Sequence, residues 1–126
     1  MDPQTYELGR QIRTTVLGAD YVQRAASDAD DFSQPLQDLV TEYCWGAVWG
    51  RDGLPLKTRS MLNLAMIAVL NRPQELATHI RGALNNGVTR DEIREIFLQV
   101  GIYAGIPAAV DSFRVAKTAF AELEAE

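Results

Sequence analysis

Apolar residues along this chain recur at the three-to-four-residue spacing of helix faces, with no run of strict two-residue alternation and no repeat period. Short joints containing Gly, Pro or Asn separate the periodic segments. The pattern predicts helices over residues 3–16, 20–27, 33–48, 56–70, 74–86, 90–103 and 107–124. Ser33 is placed to cap the third helix ahead of Pro35, and Leu36, Leu39, Val40 and Tyr43 give that helix an apolar side. Gly46 permits a close approach, and Gly50 and Gly53 end the segment. Leu76, Ile80, Ala83 and Leu84 form the stripe of the fifth helix, which stops at Asn85-Asn86-Gly87. Thr89 and Glu92 have capping-box spacing ahead of Ile93, Ile96, Phe97 and Val100. Phe113, Ala116, Phe120 and Leu123 align the last helix. The expected fold is all-α, a compact orthogonal or antiparallel bundle of about six or seven helices in a single domain, 1–126.

The fourth helix breaks the amphipathic rule. From Met61 to Leu70 only Asn63 is polar, so packing one face leaves several large side chains in water. Burying each is worth about 1.5–3 kcal/mol before opposing terms. Two arrangements cover such a helix: the centre of a monomeric bundle, or an interface between subunits. The balance of these alternatives favours a homo-oligomer.

Composition narrows the partners. Twelve Lys and Arg against 17 Asp and Glu give a formal charge of −5, and the cations are dispersed rather than interleaved with aromatics, which argues against nucleic acid. The apolar run at 61–70 is half of the ~20 residues that span a bilayer, and no export signal is visible at the N-terminus, so no membrane partner is expected. A single cysteine, Cys44, excludes an intrachain disulfide and suits a cytoplasmic location. Scattered carboxylates, one histidine and one cysteine lack metal-ligand spacing, and neither a Walker nor a dinucleotide fingerprint occurs. Neither metal nor cofactor is expected.

Two groups of residues can carry chemistry. His79, the sole histidine, lies at the edge of its helix's apolar stripe, with Glu75 one turn earlier. A carboxylate there can orient the imidazole for proton transfer, although a solvent-edge helix pair has the same spacing. Arg51, Lys57 and Arg59 place three cations around one joint, beside Trp45 and Trp49 and after Glu42. Arginine forks and a lysine point charge suit a small dicarboxylate, with the tryptophans as an apolar wall and Glu42 as a second acid or an arginine partner. Core packing for the tryptophans and a wet helix entrance for the cations are the plainer alternatives. Cys44 reads as a packed thiol rather than a nucleophile.

The stretches EYCWGAVW, GLPLKTRS, ELATHIRGALNNG and YAGIPAA, in this order and spacing, resemble the carboxymuconolactone decarboxylase family, with residues 36–124 carrying most of the similarity. The resemblance implies an all-helical, alkylhydroperoxidase-like fold assembled as trimers or hexamers, with a cleft near a subunit interface. It implies a carboxy-lyase that needs no cofactor and converts 4-carboxymuconolactone, a small dicarboxylate lactone, to 3-oxoadipate enol-lactone in protocatechuate degradation. Another small lactone acid as substrate, or a non-enzymatic oligomer that binds small acids, are the alternatives. Related alkylhydroperoxidase-like proteins carry Cys-x-x-Cys-x-x-x-His where this chain has Arg72, Glu75 and His79, and a glutamate near the position of Ser60. The departures remove dithiol chemistry. They leave His79 and Glu75 as the expected catalytic pair, with Arg51, Arg59, Lys57, Trp45, Trp49 and Glu42 as substrate-binding residues.

Overall fold

A computed structural model describes all residues, 1–126, and the chain is helical throughout, with no strand. Seven α-helices run in chain order: α1 (Pro3–Leu17), α2 (Ala19–Asp28), α3 (Gln34–Leu39), α4 (Leu56–Leu70), α5 (Pro73–Asn85), α6 (Arg90–Ala104) and α7 (Ile106–Ala125). A π-helix, Val40–Val48, follows α3 directly. The all-α expectation holds, and the element ends fall within two residues of those read from the pattern except in the third helix. Contacts divide the chain into two compact units, Met1–Leu56 and Lys57–Glu126.

In the first unit α1 packs along the π-helix, and α2 packs on α1. Asp2 caps α1 by accepting from the Gln4 amide at 3.1 Å, with Pro3 in the first turn, where no amide proton is needed. The segment expected as one helix over 33–48 changes character at Val40, and its backbone bonds then reach five residues back, as from the Trp49 amide to the Cys44 carbonyl at 3.0 Å. The side-chain pattern explains the change. Val40, Cys44, Trp45 and Trp49 all join one cluster around Val16, yet in an α-helix nine residues at ~100° each would put Val40 and Trp49 on opposite faces. The wider π turn brings them to the same side.

The expected apolar side of this helix is therefore wrong in three of its four members. Leu36, Leu39 and Tyr43 are exposed, and only Val40 packs inward. Ser33 also departs from its expected role. It precedes α3 but makes no side-chain cap; its hydroxyl instead accepts from the Asp30 amide at 3.0 Å and closes the preceding turn.

The crossing of α1 and the π-helix depends on missing side chains. A Cβ on Gly9 would run into the Thr41 carbonyl oxygen and lie 2.7 Å from the Gly46 amide nitrogen, and a Cβ on Gly46 would run into the Thr5 carbonyl. Gly46 was legible as a site of close approach; Gly9 was not. Beside the crossing Arg13 is buried, donating to Gln37 Oε1 at 3.0 Å and lying 6.0 Å from the centre of the Tyr21 ring.

In the second unit, α4, α5, α6 and α7 share a core of Leu64, Ala68, Leu76, Ile80, Ile93, Phe97 and Ala116, among others. Phe97 and Phe113 meet edge to face at 6.0 Å. The capping box forms as expected: Thr89 Oγ1 accepts from the Glu92 amide at 3.0 Å, and Glu92 Oε1 accepts from the Thr89 amide at 2.9 Å. Asn71, at φ 59°, takes the left-handed conformation that ends α4. Only one side of α4 is covered. Leu62, Met66, Val69 and Leu70 are 47–63% exposed, and Leu62, Ala65, Val69, Ile96, Val100 and Tyr103 line an apolar groove of about 570 Å³. The centre-of-a-monomer alternative for α4 does not describe this helix.

Gly9→Ala tests the crossing. Helix propensity alone would favour alanine by roughly 0.5–1 kcal/mol, whereas overpacking costs about 1–3 kcal/mol and here meets backbone that cannot rotate away. The expected outcome in denaturant unfolding is net destabilisation of about 1 kcal/mol or more. A variant more stable than the parent would show that the helices separate without cost.

Candidate active site

His79 projects from the middle of α5, mostly buried, between the fully buried Ile80 and the partly buried Thr78. Its Nδ1 lies 3.4 Å from the side-chain amide nitrogen of Asn63 on α4. Asn63 is the polar interruption in the 61–70 run, and its side-chain amide reaches the imidazole. Burial pushes the His79 pKa from 6.5 down to about 4, because desolvation disfavours the imidazolium. The ring is neutral at pH 7.

Glu75 keeps its place one turn before His79 on α5, but it is exposed and forms no hydrogen bond or ion pair with the ring. Arg72, at the start of the same helix, is exposed and donates to the carbonyls of Leu70 and Asn71 at 3.2 and 3.4 Å. Ser60 is buried on α4, and its hydroxyl accepts from the side-chain amide nitrogen of Asn86 at 2.9 Å, tying the end of α5 to the start of α4. Sequence reasoning saw Asn63 only as an exception and Asn86 only as a helix stop.

The three cations of the joint divide by environment. Lys57 pairs with Glu92 Oε2 at 3.2 Å, an exposed contact worth little in water. Thr89 and Lys57 together hold the Glu92 carboxyl below its usual range, the backbone bond from Thr89 being the larger cause. Arg59 is partly buried, and its Nε is shielded from solvent with no acceptor, an unsatisfied donor on a permanently charged group. It lies one turn before Asn63, ~40° away around α4. Arg51, in the first unit, is exposed and enters no ion pair.

The remaining candidates belong to the first unit. Trp45 and Trp49 are 3% and 5% exposed, with ring centres 4.6 Å apart, and form the interior of that unit with Val16. Glu42 is partly buried in the first turn of the π-helix. π segments are rare and recur at functional sites, which gives this stretch interest beyond its tryptophans. Burial pushes the Cys44 thiol up, against the smaller opposing effect of Arg13, so the group is a protonated, packed thiol at pH 7. No group of three or more His, Cys, Asp or Glu side chains is arranged to hold a metal ion, and no helix is long and apolar enough to cross a membrane.

The buried imidazole links pH to stability. Its folded pKa lies below its unfolded value, so between about 4 and 6.5 the unfolded chain binds the extra proton, and stability rises with pH through that window. At and below the lower limit the loss amounts to about 3 kcal/mol at most. A proton NMR titration of the single histidine is expected to show a midpoint near 4, and His79→Gln should flatten the stability difference between pH 4 and 6.5. A midpoint at the unperturbed value would mean the ring is solvated.

Comparison with known proteins identifies the family. Residues 34–118 match the model of the carboxymuconolactone decarboxylase family. The chain is 41% identical to the 4-carboxymuconolactone decarboxylase of Acinetobacter baylyi over 122 residues, 97% of this chain and 91% of that protein. It is also 44% identical to the nitrosuccinic acid decarboxylase npaB of Metarhizium robertsii over 110 residues, 87% of this chain and 77% of that protein. A match across most of its length, by family and by relatives, makes this chain a member of the carboxymuconolactone decarboxylase family.

Proposed function

We propose that this protein is a cofactor-independent carboxy-lyase acting on a small dicarboxylic acid, with 4-carboxymuconolactone as substrate and 3-oxoadipate enol-lactone as product, in protocatechuate degradation. The observation that carries this reading is a neutral, mostly buried imidazole whose hydrogen-bonding neighbour shares a helix with an arginine donor that lacks an acceptor. Such groups can grip a carboxylate and steady a developing oxyanion.

The electrons move as follows. The bond between the ring and the departing carboxylate breaks, and its pair passes through the ring alkene to the lactone carbonyl, giving a dienolate and carbon dioxide. His79 donates a hydrogen bond to that carbonyl oxygen as charge builds on it; a neutral imidazole suits this role better than an imidazolium, which would surrender its proton to the oxygen outright. A solvent proton, passed through the exposed Glu75, then reaches the carbon next to the carbonyl. Arg59 anchors the carboxylate that stays behind. Arg51 and Lys57 are the other candidate anchors, and Lys57 would first have to leave Glu92. The departing carboxylate needs an apolar setting, since a strong ion pair there would hold the charge that must be lost.

Nitrosuccinic acid, the substrate in the name of the second relative, has the same logic. It holds two carboxylates and a nitro group that can accept the electron pair left by decarboxylation. That similarity makes it the second substrate to assay. Assembly as a trimer or hexamer would cover the exposed side of α4, where Leu62 and Val69 stand in water.

Release of carbon dioxide from 4-carboxymuconolactone is the direct test. His79→Ala is expected to slow single-turnover decarboxylation by ~10²-fold or more with little change in binding. Arg59→Ala and Arg51→Ala should instead weaken binding, by about tenfold or more where the residue meets the retained carboxylate. Equal losses in both steps for all three variants would count against the division of roles, and inert wild-type protein would remove the reading. Leu62→Glu with Val69→Glu should shift the molecular mass in light scattering towards the monomer; an unchanged assembly would place the interface elsewhere.

A further inference from the structure

We propose that Asn63 is a positioning residue for His79: its side-chain amide donates to Nδ1 and thereby fixes the neutral ring as the Nε2–H tautomer. The inference deepens the catalytic reading of His79 and rests on it for its functional consequence, but the tautomer itself can be measured independently.

The argument starts from the cost of the residue. Asn63 interrupts an otherwise apolar ten-residue run, and a partly buried amide without a partner would cost about 1–3 kcal/mol. A leucine there would continue the run. The amide nitrogen lies 3.4 Å from Nδ1, and an amide nitrogen has protons to give and no lone pair to offer. Nδ1 must then be the accepting nitrogen, and in a neutral imidazole the single ring proton sits on Nε2. Burial supports the premise that the ring is neutral. Glu75, the group whose spacing first suggested an orienting role, is exposed and does not bond to the ring.

A fixed tautomer matters because the oxyanion stabiliser must present a proton in one direction. With Nδ1 occupied by Asn63, only Nε2 can donate, and the ring does not have to exchange tautomers during turnover. A ring free to change would offer its lone pair instead of its proton for part of the time. Asn63 touches neither substrate nor reacting atoms in this scheme. It acts through the ring.

Because His79 is the only histidine, histidine-specific ¹⁵N labelling gives one imidazole spin system and an unambiguous answer. The wild-type protein at pH 7 is expected to show Nδ1 as the unprotonated nitrogen and Nε2 as the protonated one. Asn63→Leu should yield a mixture of tautomers, and Asn63→Asp, whose carboxylate only accepts, should move the proton to Nδ1. In the decarboxylation assay Asn63→Leu should lower kcat about tenfold with KM little changed. A wild-type ring protonated on Nδ1 would overturn the inference even if neither variant folds, since it would mean the amide presents its oxygen. A tautomer shift with unchanged kcat would overturn the positioning role. Failure of the underlying catalytic reading has a separate signature: His79→Ala would then keep wild-type turnover whatever the tautomer.

Discussion

Desolvation of the only imidazole in the chain is the constraint on which the rest of the site depends. Water would keep His79 half-charged near neutral pH and let its ring turn freely; burial removes the charge, and Asn63 supplies the polar contact that burial takes away. The same burial requires α4 and α5 to pack closely, which the shared core around Leu64, Leu76 and Ile80 achieves. Asn86 on Ser60 ties the two helices at a second point. One turn from Asn63, the Arg59 Nε is shielded from solvent without an acceptor, a local cost in stability on the same helix.

The first unit solves a different problem. Two tryptophans must be enclosed by a unit of 56 residues, and the π-helix turns both of them, with Val40 and Cys44, toward Val16. Glycines at 9 and 46 let α1 approach closely enough to seal that interior. Removing the side chains at the crossing makes room for the largest ones nearby.

Much of this was legible in the chain itself. Capping at Thr89 and Glu92, the stripes of α5 and α6, and the end of α4 are local matters, decided by residues within one or two turns, and they appear where the pattern puts them. What escaped detection was set by long-range contact. The period of residues 40–48 looks α-helical until Val16 defines which side is inside, so Leu36, Leu39 and Tyr43 were assigned to the wrong face. Gly9 carries no sign of its role, because its neighbour is Thr41. The candidate site shows the same division. His79 was visible as the lone histidine, but its partner lies 16 residues away on another helix, and only the oddity of an asparagine in an apolar run hinted at it. Glu75 was the nearer carboxylate and drew attention through spacing alone.

A neutral histidine that stabilises an oxyanion makes a specific demand on the dependence of rate on pH. The most direct measurement is the single-turnover rate of decarboxylation of 4-carboxymuconolactone across the acid range. The account predicts no inflection around 6.5 and a decline only as the pH approaches about 4, where the ring gains its proton. An inflection with a midpoint near 6.5, removed by replacing His79, would show a solvated, titrating imidazole at work and would contradict it.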